Sequence, residues 1–271
     1  MNYIVVDVER NSFKYETVKP SEIIEIGAVK ILEDGTIADK FSALIKPSCP
    51  LSKFTTKLTH ITDDDVRNAP VFKEVYPKFV EFLGEDYVFV SWGKEDYRFF
   101  EADCSRSGLQ MFTPASHLDI QEVYMFGILN TFTTPSLAAS LEALNIPVNE
   151  HSHRALSDAE STSHILLELK RRIDIHSVEK PKRYAEKQFF TDGRINSAGK
   201  RKYSKLIQSV LKKTQNEQIT WLEFSSHPKW REYVEDFQVS PALESFYEGQ
   251  FDQFKGHILT NSKPKETAKP I

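Results

Sequence analysis

The chain has 271 residues, of which 40% are hydrophobic and 12% aromatic. This composition excludes global disorder and supplies enough apolar side chains for one substantial core and a smaller second unit. No run of about 18 apolar residues occurs, and the sequence begins directly with a strand-like segment, so we expect a cytoplasmic protein without a membrane span. Cys49 and Cys104 have no partners at metal-ligand spacing and predict neither a zinc site nor a disulfide framework.

Charge is distributed unevenly along the chain, although the net charge is only −4. Residues 1–176 carry 18 basic and 27 acidic side chains, whereas residues 177–271 carry 17 basic and 12 acidic ones. We therefore predict an acidic domain at 1–176, a basic and aromatic-rich region at 177–259 and a flexible tail at 260–271.

Hydrophobic periodicity predicts alternating strands and helices in the acidic domain. In chain order, strands are expected at 2–8, 22–31, 37–45, 87–91 and 116–120, and helices at 72–83, 94–106 and 155–172. Thr134 as a cap, followed by Pro135 at the first helical position, predicts a further helix that ends at Leu144. Alternation of this kind indicates a domain of the α/β class.

The C-terminal region combines positive charge with aromatic side chains. Residues 180–213 contain 11 Lys and Arg but only two acids, and apolar residues recur there at helical spacing from Tyr203 to Leu211. Residues 221–254 are rich in aromatics, which disordered segments lack, so we predict a mainly helical appendage. Its basic run suits contact with a nucleic-acid backbone, and it equally suits a solvated helix face.

Asp7 and Glu9 stand two residues apart at the end of the first apolar strand, so both carboxylates should point to the same face of the sheet. Adjacent half-buried anions repel each other and lose hydration, and a divalent cation would compensate both effects. An ordinary polar strand end is the alternative, because the same spacing recurs by chance at Asp158 and Glu160.

Two more acids and a histidine lie at the ends of predicted elements. Asp96 opens a helix on the face expected to pack inward, although the helix dipole alone also favours an acid in a first turn. Asp158 faces the core side of the last helix, five residues after His153 in the preceding loop. His151 competes with His153 for any role near Asp158.

Residues 1 to about 172 resemble the DnaQ-like, or DEDDh, exonucleases, and most closely their Eri-type and KapD-like branch. The three motifs are Tyr3-Ile-Val-Val-Asp7-Val-Glu9, Ser91-Trp-Gly-Lys-Glu-Asp96 and His153-Arg-Ala-Leu-Ser-Asp158-Ala. Similar segments are Glu22-Ile-Ile-Glu25-Ile-Gly27-Ala-Val, Phe41-Ser-Ala-Leu-Ile-Lys-Pro47 and Leu58-Thr-His-Ile61-Thr. The resemblance implies an RNase H-like fold with a five-stranded mixed sheet flanked by helices.

The resemblance also implies a reaction: release of nucleoside 5′-monophosphates from the 3′ end of a single strand, with RNA favoured over DNA. Two Mg²⁺ or Mn²⁺ ions would be held by Asp7, Glu9, Asp96 and Asp158, and His153 would be the general base, so activity should fall on acidification. Substrate-binding positions are implied at Val8, Glu25, Leu58, Thr59, Ile61 and Trp92.

Two departures from the family pattern bear on the preference for the terminal nucleotide. Arg10 stands where many relatives have a small residue or threonine, and His60 where glycine is usual. The alternatives are a polymerase-associated proofreading exonuclease and a catalytically silent module that binds nucleic acid or protein. A protein partner is expected to bind through the C-terminal region, which in the proofreading alternative would be the docking segment. The presence of all five residues that the resemblance assigns to catalysis argues against the silent module.

Overall fold

The computed structural model describes residues 1–13, 19–147 and 154–262. For Asn261 and Ser262 it describes the backbone alone. The chain divides into two compact units, Met1–Lys180 and Pro181–Ile271. Within the described ranges, no helix is both long and apolar enough to cross a membrane.

The first unit is built on a five-stranded mixed sheet, as expected from the sequence. Its strands are β1 (Asn2–Arg10), β2 (Ile23–Ile31), β3 (Ile37–Leu44), β4 (Tyr87–Ser91) and β5 (Ser116–Asp119). The order is β3-β2-β1-β4-β5. The first three strands form an antiparallel meander, and β4 and β5 continue the sheet parallel to β1. The central strand β1 therefore has its carboxyl end beside that of β4.

Helices cover both faces of this sheet. They are α1 (Lys53–Thr59), α2 (Asp63–Val66), α3 (Phe72–Leu83), α4 (Glu95–Ser107), α5 (Ile120–Tyr124), α6 (Leu137–Ala143) and α7 (Ala155–Arg172), with a π-helical turn at Met125–Leu129 after α5. Alternate residues of β1 point to opposite faces of the sheet. Ile4 packs with Phe79 of α3 and Phe100 of α4. Val5, on the other face, packs with Leu166 of α7. Asp7 continues the face of Val5.

Sequence reasoning was wrong about the start of α6. The N-cap is Ser136, whose hydroxyl accepts a hydrogen bond from the Ala139 amide, and the helix begins at Leu137. The Pro135 carbonyl accepts instead from the Gln121 side chain, which holds that residue outside the helix. A serine directly after the proline is the stronger cap because it offers its oxygen to a free amide.

The second unit is helical, as expected. It contains α8 (Ala185–Phe189), a short hairpin of β6 (Phe190–Thr191) and β7 (Arg194–Ile195), α9 (Ser197–Thr214), α10 (Trp221–Ser226), α11 (Pro228–Asp236) and α12 (Pro241–Ser262). Its core is aromatic and includes Tyr203, Trp230 and Tyr247, with the Tyr203 hydroxyl donating to the Tyr247 carbonyl at 2.8 Å. Because α12 runs to Ser262, the first residues of the predicted tail are helical; 263–271 lie outside the described residues.

Candidate active site

Three carboxylates from two elements meet at the carboxyl end of β1. Asp7 and Glu9 project from β1 towards α7, which supplies Asp158 from its first turn. One oxygen from each of these three side chains lies within 4.8 Å of the others. The spacing of two along β1 and the packing of α7 on β1 and β2 together produce this cluster.

A fourth acid, Asp96, is anchored to β1 through the backbone. The pairing of β4 with β1 extends only to Val90, so the Val8 amide lies beyond it and donates to Asp96 Oδ1 at 3.2 Å. Gly93 makes the turn between β4 and α4 with a φ of 96°, a conformation that favours glycine. The Gly93 amide donates to Asp119 at 3.1 Å, which fixes the turn. Asp96 is thereby held against the backbone of β1, close enough to Asp7 and Glu9 to oppose their ionisation.

Glu25 fastens the start of α7 to the sheet. It lies opposite Glu9 in the β1–β2 pairing and is only 2% exposed. Its carboxylate accepts from Arg154 Nη2 at 2.6 Å, from Arg154 Nε at 3.1 Å and from the Ala155 amide at 3.0 Å. The Glu25 side chain thus positions the helix that carries Asp158, and its predicted contact with substrate stays a prediction. Sequence reasoning missed Arg154, although a buried acid in β2 calls for a cation.

Glu25→Ala is expected to destabilise the protein by about 2–3 kcal/mol, because Arg154 and the Ala155 amide lose a buried charged acceptor. It should lower kcat with little change in KM, since Asp158 loses its fixed position. Glu25→Gln keeps an acceptor for the Ala155 amide, so its losses of stability and of kcat should be smaller. Chemical denaturation and steady-state kinetics measure these effects. A raised KM with unchanged stability would instead support the predicted contact of Glu25 with substrate.

Burial and repulsion from nearby acids raise the pKa values of Asp7, Glu9 and Asp96. Burial raises the pKa of Glu9 to about 8, with Asp158 and Glu25 adding to the effect and Arg154 opposing it. Burial, followed by repulsion from Asp96 and Glu9, raises the pKa of Asp7 well above its ordinary value. Burial raises the pKa of Asp96 to about 7 despite the stabilising Val8 hydrogen bond. A divalent cation would relieve the same repulsion, and all-oxygen donors suit Mg²⁺ or Mn²⁺.

Metal should therefore stabilise the protein more at high pH than at low pH. A folded-state pKa of about 8 for Glu9, well above its unfolded value, means that this group favours folding below the unfolded pKa and loses that effect as pH rises through about 8. We expect the rise in Tm caused by Mg²⁺ over EDTA to be larger at about pH 8.5 than at about pH 5.5. Thermal melts at both pH values test this. An equal rise would show that these acids do not bind the ion.

The remaining predicted substrate positions fall into two groups. Leu58 is 41% exposed on α1, with Phe54 one turn earlier at 48%, whereas the Thr59 and Ile61 side chains are buried. The Ser12 amide donates to Thr55 Oγ1 at 2.8 Å, so α1 is tied to the chain just beyond Glu9. Phe54 was not predicted, although its spacing of four from Leu58 makes an exposed apolar pair.

Other positions singled out by the sequence lie nearby. Trp92 follows β4 and packs on Tyr124 with ring centroids 6.5 Å apart, and Val8 contributes its backbone amide to Asp96. His153 and its competitor His151 lie outside the described residues, so the general-base assignment stays a prediction.

The two departures from the family pattern have local explanations. The Arg10 guanidinium lies 4.1 Å from the centroid of the Phe99 ring, donates to the Ser21 carbonyl and approaches Asp103 at 3.8 Å, so it is held by the fold. His60 ends α1 with a φ of 61°, in the left-handed region. Glycine is the residue that adopts this conformation at least cost, which explains why it is usual there.

Residues 4–166 match the family model of the RNase_T exonucleases. The fold also matches the nuclease domain of 3′hExo, a DEDDh family member solved with rAMP, at a TM-score of 0.58 and 22% identity over 66% of this chain and 96% of that one. The chain belongs to the DnaQ-like (DEDDh) exonuclease family.

Other similarities lie in the same part of the chain. PolC-type DNA polymerase III from Clostridium perfringens is 33% identical over 181 residues, which are 65% of this chain and 12% of the polymerase. The enzyme from Staphylococcus haemolyticus is 33% identical over 62% of this chain and 11% of its own length. The nuclease CRN-4 has the same fold, with a TM-score of 0.56 and 19% identity over 63% of this chain and 64% of that one. The chain thus matches only about a tenth of the length of its polymerase relatives, and its placement in the Eri-type branch stays a prediction.

Proposed function

We propose that this chain is a divalent-metal-dependent 3′→5′ exonuclease that releases nucleoside 5′-monophosphates from single-stranded RNA. The observation that carries the proposal is the meeting of Asp7, Glu9 and Asp158 within 4.8 Å, beside Asp96. Clustering of four acids is unfavourable because their negative charges repel one another and lose hydration. Cations held between these acids and a substrate phosphate would compensate for that repulsion.

The donor set fits two hard divalent cations. Asp7, whose ionisation Asp96, Glu9 and Asp158 all oppose, would be the shared ligand, with these three acids completing the shells directly or through water. When bound, the ions would supply a more acidic water and stabilise charge on the departing 3′-oxygen. The protein's part is to hold the carboxylates in place: the Val8 amide donates to Asp96, and Glu25 fixes the start of α7, which carries Asp158.

His153 is the proposed general base. In the sequence it directly precedes Arg154, the residue that Glu25 holds. It must be neutral to accept the proton of the attacking water, and its ordinary pKa is about 6.5. Full single-turnover activity well below that pH would exclude it as the base.

Incubation with 5′-labelled RNA and DNA oligomers, single-stranded and duplex, in Mg²⁺, Mn²⁺ or EDTA tests the proposal. We expect a ladder that shortens from the 3′ end, requires metal and forms fastest on single-stranded RNA. Internal cleavage would contradict the proposed direction. Binding without any product in saturating metal would instead identify a silent module.

Proofreading beside a polymerase is the second candidate, and the 33% identity to PolC-type polymerases favours it. In that case the preferred substrate would be DNA, and a mismatched primer end would be removed faster than a matched one. The appendage would then serve as the docking segment. Faster hydrolysis of mismatched duplex DNA than of single-stranded RNA, together with co-purification of a polymerase, would decide for this alternative.

A further inference from the structure

The second unit contains a groove of about 700 Å³ that the exonuclease site does not use. The β6–β7 hairpin contributes Gly193, Arg194 and Ile195, and α9 contributes Lys200 and Ser204. One face of α12 completes the groove with Phe246, Gln250, Gln253, Phe254 and His257, whose spacing places them on a single helical stripe. All three walls belong to the same compact unit.

The lining combines positive charge, amides and aromatic rings without a single acid. Arg194 and Lys200 are exposed, and within the described part of the chain no carboxylate lies within salt-bridge distance of either. Two acids, Glu186 and Asp192, line an adjoining hollow that shares Gly193 and Phe246 with the groove. The groove is therefore locally cationic although the acidic side chains of α12 are close in sequence.

The aromatic rings of the groove are held in place by the core beneath them. Phe254 packs on Tyr203 with centroids 5.0 Å apart, and Phe246 packs edge-on against Phe190 at 5.2 Å. Both rings are only partly buried, so they keep surface open to the groove. Rings fixed in this way form a stacking platform at little entropic cost, and every nucleobase offers a face to it.

We propose that this groove binds a segment of single-stranded nucleic acid. Arg194 and Lys200 contact phosphates, Phe246 and Phe254 stack against bases, and Gln250 and Gln253 donate to and accept from base edges. The inference rests on the proposed function in one respect: the proposed nuclease acts on a nucleic-acid strand, which the groove would bind. An acidic first unit repels that strand outside its metal site, so a cationic groove supplies affinity that the first unit lacks.

The neighbouring basic residues of α9 are less informative. Lys202 lies 5.1 Å from the centroid of Phe237 and 5.9 Å from that of Tyr233, so its side chain is part of the packing. Replacing Lys202 would therefore change both the folding stability and the binding of a strand. Arg194 and Lys200 are free of this difficulty, and Lys212 with Lys213, exposed at the other end of α9, provide a control pair of equal charge.

Fluorescence anisotropy of a 5′-labelled single-stranded oligomer with the full chain tests the proposal. Measurement in EDTA prevents hydrolysis, so failure of the nuclease function would leave the result unchanged. We expect Arg194→Ala with Lys200→Ala to weaken binding about 10- to 30-fold at about 0.1 M salt, and to reduce the slope of log K against log salt by about 1.4, or 0.7 for each lost phosphate contact. Lys212→Ala with Lys213→Ala should change binding less than about twofold.

The charge-conserving pair Arg194→Lys and Lys200→Arg should retain most of the affinity, which separates lost charge from lost folding. Equal weakening by the groove pair and the control pair, or no weakening by either, would overturn the proposal. Displacement of the oligomer by polyglutamate as effectively as by unlabelled strand would also overturn it, because a groove that accepts any polyanion does not read bases.

Discussion

Replacing Asp7 with asparagine is expected to lower kcat by about 10³-fold or more while raising the Tm of the metal-free protein. The loss follows from the central place of Asp7 among the acids, since the charge stabilisation supplied by bound metal amounts to several kcal/mol and each 1.36 kcal/mol is a factor of about ten. The gain in stability follows because burial, Asp96 and Glu9 all oppose ionisation of Asp7. Asparagine keeps the shape of the side chain and removes that opposition.

Both effects can be measured on one preparation. Hydrolysis of a 5′-labelled oligomer in saturating Mg²⁺ gives the rate, and a melt in EDTA at about pH 8 gives the stability, with a rise of about 2–4 °C for each 1 kcal/mol gained. Asp86→Asn is the matched control, because Asp86 is exposed in a turn before β4 with a φ of 51°, which asparagine also adopts. A rate near wild type would remove Asp7 from the metal site.

Local patterns predicted the elements whose periodicity is strong. The strand Tyr87–Ser91 and the helix Ala155–Arg172 have the bounds that the apolar spacing predicted, and Gly84 ends α3 as expected. The helices α1 and α2, of seven and four residues, were not predicted because neither is long enough to show a helical repeat. The position of α1 depends on hydrogen bonds of Thr55 with Arg10 and Ser12, and that of α2 on packing of Val66 against Ile24, and no local pattern shows either.

Local periodicity also predicted part of the site. A period of two along β1 is sufficient to place Asp7 and Glu9 on one face, and that is where they lie. Convergence of Asp96 and Asp158 on this pair depended on the family resemblance, because each has a common structural explanation when considered alone. The clamp between Glu25 and Arg154 joins residues 129 apart and could not be read from spacing.

Gly27→Ala is expected to destabilise the protein by about 3 kcal/mol or more and to lower kcat about 10²-fold. Gly27 lies in β2 where the start of α7 crosses the sheet, and a Cβ there would be 2.1 Å from the Ala155 carbonyl carbon and 2.1 Å from the Leu156 amide nitrogen. These are backbone atoms that cannot rotate away, so α7 itself must move. Overpacking commonly costs about 1–3 kcal/mol, and more where the obstacle is rigid.

The displacement would reach the chemistry because α7 carries Asp158 and begins at the Glu25 clamp. A shift of about 1 Å in a catalytic group can cost about 100-fold in rate. Gly249→Ala makes the same chemical change on α12, where a Cβ meets nothing within 4 Å, and should stabilise that helix by up to about 1 kcal/mol. Thermal melts and single-turnover rates of the two variants therefore separate close packing of α7 on β2 from any general effect of adding a methyl group. An unchanged rate and Tm in Gly27→Ala would mean that α7 does not approach β2 as closely as this geometry requires, and the placement of Asp158 beside Asp7 would lose its structural basis.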